Sequence, residues 1–208
     1  IRLHANDLFE NKPGAMADIL DKSERSASIP KKLAQEATVK KLIKACIFAT
    51  TIPELEQTAT AFVADVCKHF ALVEVGRALA QVRHGRKAFD VANGEGPVYL
   101  DSRILAEALV ECLSSDEVHV REAAEQAMVV VKDAAGVIFG SPEKAAKLPF
   151  FVHLGRVFCH SCYSEEWFTK AGGSVGISLL STKLDLGDTW LYERHVEFCR
   201  ALMYVIKD

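Results

Sequence analysis

The sequence has no run of eighteen apolar residues, and it does not begin with a basic stretch followed by an apolar block. A membrane-spanning helix and a secretory signal are therefore not expected, nor is a membrane partner. The composition reads as that of a soluble, intracellular chain. Charge bias is missing too: a quarter of the 208 residues are charged, yet the formal net charge is only -3. That balance demands neither nucleic acid nor an anionic surface as partner. Six cysteines are too few for a disulfide scaffold in a chain of this size. Cys46, Cys67, Cys112 and Cys199 sit among apolar neighbours at helical spacing and read as small buried hydrophobes in a reducing compartment. The first residue is Ile1, not methionine, so the chain is expected to be an excerpt of a longer one.

Catalytic signatures are equally scarce. The sequence contains no GxSxG elbow, no HExxH and no kinase HRD or DFG motif, so no nucleophile or general base is nominated and no enzyme is expected. The diglycine Gly172-Gly173, with Gly176 after it, has neither the spacing of a P-loop nor that of a dinucleotide fingerprint. Its reading is close backbone approach between helices. Cys159 and Cys162 form a CxxC pair with His153 and His160 nearby, but on a helix residues 159 and 160 point about a hundred degrees apart and do not converge on one ion. A thiol-exchange site would need a strand before the pair, which is absent from the pattern. No metal or cofactor is expected. Cys159, Cys162, Trp167 and the glycines are expected to pack one unit of structure against the next.

What the chain does have is helical periodicity. Half its residues are apolar, and from about Pro30 onward they recur near every 3.6 residues, with almost no strand-like alternation. Ile104, Leu105, Ala108, Leu109, Cys112 and Leu113 share one stripe of a helix that begins at Asp101-Ser102 and ends near Ser114-Ser115. A second helix follows at once, with Asp116 as its expected N-cap and Val120, Ala123, Ala124, Ala127, Met128 and Val131 inward. Other helices are expected from about Lys31 to Thr50, with Leu42, Ile43, Cys46 and Ile47 inward. One from Pro53 carries Leu55, Ala59, Phe62, Val63, Val66 and Phe70, and one from Pro149 carries Phe150, Phe151, Leu154, Val157 and Phe158. The last two are expected from about Glu165 to Lys183 and from Asp188 to Ile206. Successive hairpins of roughly forty residues suit an all-α solenoid, because one hairpin cannot bury its apolar face alone. A compact bundle is the structural alternative. Residues 1–30 read as a polar lead-in, residues 31–208 as the helical segment, and residues 84–100, with Asn93-Gly94 and Gly96-Pro97, as a loop.

The strongest charge feature is KKLAQEATVKKLIKACI at 31–47, with five lysines and one glutamate, a local balance of 5 - 1 = +4. Lys32, Lys40 and Lys44 share a helix face. The plain reading is a solvated face; the sharper one is a rim that attracts an acidic peptide or a phosphate backbone. Arg83, Arg86 and Lys87 add a second small basic group.

Two resemblances sharpen this picture. SSDEVHVREAAEQAMVVV resembles the second half of a HEAT repeat, through Asp116, Val120-Arg121 and Ala123-Ala124. The run from Ser141 to Gly173 resembles the helical-repeat region of the TRRAP family of transcription co-activator scaffolds, relatives of the phosphatidylinositol-3-kinase-like kinases. The matching features are Leu148-Pro149-Phe150-Phe151, Cys159, Cys162-Tyr163, Trp167-Phe168, Lys170 and Gly172-Gly173, followed by Ile177. The resemblance extends over residues 37–208 and implies a HEAT-like segment of a nuclear scaffold that lacks kinase activity. In histone acetyltransferase complexes of the SAGA type, such a scaffold receives DNA-bound activators. Its implied partners are acidic activation domains and other subunits of those complexes. Charge, not the resemblance, nominates Lys40, Lys41, Lys44, Arg83 and Arg86 as the rim that would hold an acidic peptide. A segment that only packs against other subunits is the first alternative. A nucleic-acid-binding helical module is the second, and the acidic overall balance argues against it.

Overall fold

The computed structural model describes residues 22–84 and 101–207, with side chains described for 34–78 and 101–207. Among the described residues there is no strand. The helices are α1 (Lys22–Ala49), α2 (Glu56–His84), α3 (Ser102–Leu113), α4 (Val118–Phe139), α5 (Pro142–Ala145), α6 (Pro149–Ser161), α7 (Trp167–Thr182), α8 (Asp188–Tyr192) and α9 (His195–Lys207).

Three antiparallel hairpins, α1/α2, α3/α4 and α6/α7, stack side by side. α1, α3 and α6 pack in succession in one layer, α2 packs on α4 in the other, and α7 contacts both α6 and α3. α9 then lies against α6 and α7. The seam between the layers is the core. It is built from Ile43 and Ile47 of α1, Cys67 and Val75 of α2, the Leu105–Leu109–Leu113 stripe of α3 and Met128 of α4. Phe150, Phe151, Leu154 and Phe158 of α6 complete it. The six-residue stripe expected on α3 is buried throughout, and Asp101 caps that helix by accepting from the Arg103 backbone N–H at 3.0 Å.

Several expectations need correction. α1 begins at Lys22, not near Lys31, so part of the expected lead-in is helical backbone; His84, expected to open the loop at 84–100, is the last residue of α2, and residues 85–100, with Arg86 and Lys87, lie outside the described residues. Leu42, Leu55 and Phe62, expected inward, are exposed, because the inward stripes of the first hairpin run through Val39, Ile43 and Ile47 and through Cys67, Phe70 and Ala71. The cap of α4 is Glu117, one residue later than Asp116. There, the Ser115 hydroxyl accepts from the Glu117 N–H at 3.2 Å, and Arg121 Nη1 donates to the carbonyls of Ser115 and Asp116 at 2.8 and 3.0 Å. The helix expected from Asp188 to Ile206 is broken after Tyr192. Its periodicity survives the break because Trp190 and Phe198 both pack over Gly155 of α6. Cys199, expected to be buried, is exposed.

Candidate functional site

Geometry decides the role of the CxxC pair. Cys162 is buried and Cys159 half-buried, one on each side of the α6 terminus. Burial pushes both thiols up to about 11, with the Cys162 thiol and then Glu197 adding to the effect at Cys159. Thiols held so far above neutrality are poor nucleophiles. Among the described residues no group of three or more His, Cys, Asp or Glu side chains is placed to hold a metal ion. His160 is exposed, and His153 points instead toward α3, where its Nε2 approaches Glu107 Oε1 at 3.5 Å without hydrogen-bond geometry.

The glycines have the packing role expected of them. A Cβ on Gly172 would lie 2.5 Å from Ser114 Oγ and 2.9 Å from Ser114 Cα, so α7 is pressed against the α3–α4 turn. One on Gly173 would lie 2.7 Å from the Phe158 carbonyl oxygen, and one on Gly176 2.2 Å from the Phe158 ring. Trp167 and Phe168 do not join them: both are exposed at the start of α7, with Trp167 at 68%. Both rings stand in solvent, so the packing expected of Trp167 fails.

Burial orders the remaining thiols. Burial raises Cys67 and Cys112 to about 12, with Lys44 pulling the Cys112 thiol partly back down and Glu111 adding a smaller upward push, whereas Cys199 stands in solvent. A thiol-reactive chromophore at mildly alkaline pH is therefore expected to modify Cys199 first, and Cys67 and Cys112 only after denaturant is added. Rapid labelling of Cys67 in the native chain would contradict this packing.

The lysine stripe has a partner that the sequence reading missed. Lys40 Nζ lies 2.7 Å from Glu111 and 3.6 Å from Glu107, and Lys44 Nζ lies 2.6 Å from Glu111. Together with His153 these residues form a ladder across α1, α3 and α6. Burial pulls the Glu111 carboxyl upward, but hydrogen bonds from Lys40 and Lys44 outweigh it and leave the group below its ordinary value. The hydrogen bond to Glu111 raises Lys40 against the pull of its own desolvation. A signal for this pairing exists in the sequence: Glu107 and Glu111 are spaced four apart, as are Lys40 and Lys44. Lys41, by contrast, is exposed on the outer side of α1. The Arg83 side chain and Arg86 lie outside the described residues.

Beside the ladder is a groove of roughly 460 Å³ lined by Lys44, Glu107, Glu111, Glu166, Val110 and Val157, among others. Three carboxylates and one ammonium among these residues make its charge more negative than positive, which does not suit an acidic peptide.

Parallel hairpins stacked in register over a continuous two-layer core define a segment of an α-solenoid of the HEAT type. The family model described as the Tra1 HEAT repeat ring region matches residues 1–208, and the chain belongs to that family. It is 28% identical over 179 residues, 82% of its length, to the human transformation/transcription domain-associated protein. A second relative is the SAGA complex/NuA4 acetyltransferase complex subunit TRA1 of Saccharomyces cerevisiae, 28% identical over 174 residues and 84% of this chain. A third is transcription-associated protein 1 of Drosophila melanogaster, 25% identical over 162 residues and 78% of this chain. The chain spans 5%, 5% and 4% of the length of these three relatives, respectively.

Proposed function

We propose that the chain is a non-catalytic protein-interaction segment of a nuclear transcription co-activator scaffold, packing against other subunits of a histone acetyltransferase complex. The observation that carries this reading is the solenoid itself: a rigid stack with one regular edge of turns and a set of exposed large apolar residues, including Phe48, Trp167 and Ile206. Surfaces of that kind serve association more than chemistry. The names of its relatives support the setting.

A second reading, docking of acidic activation domains on the basic rim, rests on exposed Lys41, since Lys40 and Lys44 already face carboxylates. Lysine crosslinking of the intact complex tests the first reading: crosslinks from Lys41 and Lys147 to other subunits are expected, and crosslinks confined to this chain would overturn it. The second is tested by anisotropy with a labelled acidic activation-domain peptide against a scrambled one of equal charge. Preference for the true sequence that survives salt and falls with Lys41→Glu would support it; equal binding of the scrambled peptide would remove it.

A further inference from the structure

The two junctions in the stack are built differently. Across the first, α1 packs on α3 and α2 on α4, so both layers are continuous. Across the second, α3 packs on both α6 and α7, but α4 and α7 do not pack along each other. The first layer is closed there and the second is parted. An ion pair spans the parting, from Lys183 Nζ at the C-terminal end of α7 to Glu125 Oε2 on α4. The Glu125 side chain is 15% exposed and that of Lys183 56%. With one partner half in water, the pair is weak and is screened by salt.

The other end of α7 supplies a pivot. Gly172 meets the α3–α4 turn so closely that a Cβ there would lie 2.9 Å from Ser114 Cα. Interdigitating side chains are what fix the angle between packed helices, and a glycine brings none to this contact. From Gly172 to Lys183 is eleven residues (183 - 172 = 11), about 16 Å of helix. A rotation of about 10° at the pivot carries the Lys183 end through about 3 Å. That travel separates an ammonium from its carboxylate. α6 moves with α7, because the buried Phe158 ring fills the space beside Gly176 and holds the two helices together.

We propose that the second junction is a hinge. Its pivot is the contact of Gly172 with Ser114, and its latch is the Lys183–Glu125 ion pair. With the latch closed, α7 is tied to α4 and the curvature of the stack is set at this point. With it open, the third hairpin swings as a unit about α3, in the manner of hinge motions that turn on a few residues. The first junction has no such freedom, since both of its layers are packed. The stack is thus rigid on either side of one jointed position, and a partner that favours one curvature biases the latch. This hinge does not depend on which partner the scaffold binds.

The test is a pulsed electron spin resonance measurement of the distance between spin labels on α4 and α7 in the whole chain. Gln126→Cys and Ser178→Cys carry the labels, both at exposed positions, and Cys199→Ser removes the exposed native thiol. A second pair, Lys68→Cys on α2 with Gln126→Cys, reports the first junction. At low salt both pairs are expected to give one narrow distribution. Lys183→Glu should broaden the α4–α7 distribution and lengthen its mean by about 1–2 Å, the arc of about 10° at Ser178, and leave the α2–α4 distribution unchanged. High salt should act in the same direction on the parent, and Lys183→Arg, which keeps the charge, should remain narrow. Position 183 is exposed enough for both variants to fold. An α4–α7 distribution unaffected by Lys183→Glu and by salt would overturn the proposal. So would equal broadening of both label pairs, which would mean general loosening. A Lys183→Arg variant as broad as Lys183→Glu would also overturn it, since charge would then not hold the latch.

Discussion

Phe158→Ala is expected to destabilise the chain by about 4 kcal/mol, and Gly176→Ala by about 2, yet the double variant should lose clearly less than the sum. The Phe158 ring is fully buried, and it occupies the space that the missing side chain of Gly176 leaves on α7. Removing the ring opens a cavity between α6 and α7. Adding a methyl at 176 places it 2.2 Å from the ring carbons, and overpacking of that kind costs about 3 kcal/mol. A helical Gly-to-Ala change returns about 1 kcal/mol of that through propensity. In the double variant the new methyl enters the cavity the ring vacated, so the two changes couple. For a chain of this size the Phe158 change should lower Tm by roughly 8–16 °C and the Gly176 change by roughly 4–8 °C. Gly76→Ala is the control. Nothing lies within 4 Å of the point its methyl would occupy on α2, so propensity alone acts and stability should rise by up to ~1 kcal/mol. Strict additivity in thermal melts of the three variants and the double would mean that ring and glycine do not share one space.

This contact also shows how far the sequence could be read. Helix existence and the inward stripes of α3 and α6 follow from periodicity alone, because those helices are buried on one well-defined face. Close packing at Gly172, Gly173 and Gly176 was legible because glycine in a helical pattern weakens the helix and needs a compensating reason. The first hairpin was less legible. Its apolar residues ring much of the helix, so periodicity could not say that Phe62 and Leu55 face solvent while Cys67 and Ala71 face the core. Trp167 was misplaced for a related cause: a large aromatic at a helix start can turn either way, and hydrophobicity alone does not choose. The ladder from Lys40 and Lys44 to Glu107 and Glu111 crosses 67 residues of sequence, and only the parallel stacking of α1 on α3 brings it together. A local charge count on α1 therefore read as a basic rim what is, in the fold, half of a neutralised seam.

Ser102→Ala is expected to cost about 2 kcal/mol, a large effect for the loss of one oxygen, and Glu74→Leu added to it should restore most of that stability. Glu74 of α2 is 6% exposed and accepts a hydrogen bond from the Ser102 hydroxyl at 2.6 Å, while Arg77 Nη1 stands 3.9 Å away. Ser102 is itself buried at the first turn of α3. This polar contact joins the first hairpin to the second at the edge opposite the turns. Removing only the hydroxyl leaves a buried carboxylate short of a donor, which costs about 1–3 kcal/mol. Removing both partners and filling the volume with an apolar side chain eliminates the unmet group, and such paired replacements are often close to neutral. Arg77 keeps a carboxylate neighbour in the double variant, because Asp101 also lies within its electrostatic reach. Chemical denaturation of both variants separates the possibilities. A single variant as stable as the parent would mean that water replaces the hydroxyl. A double variant less stable than Ser102→Ala would mean that the Glu74 carboxylate contributes beyond this one bond, and the hairpin junction would then depend on charge more than on packing.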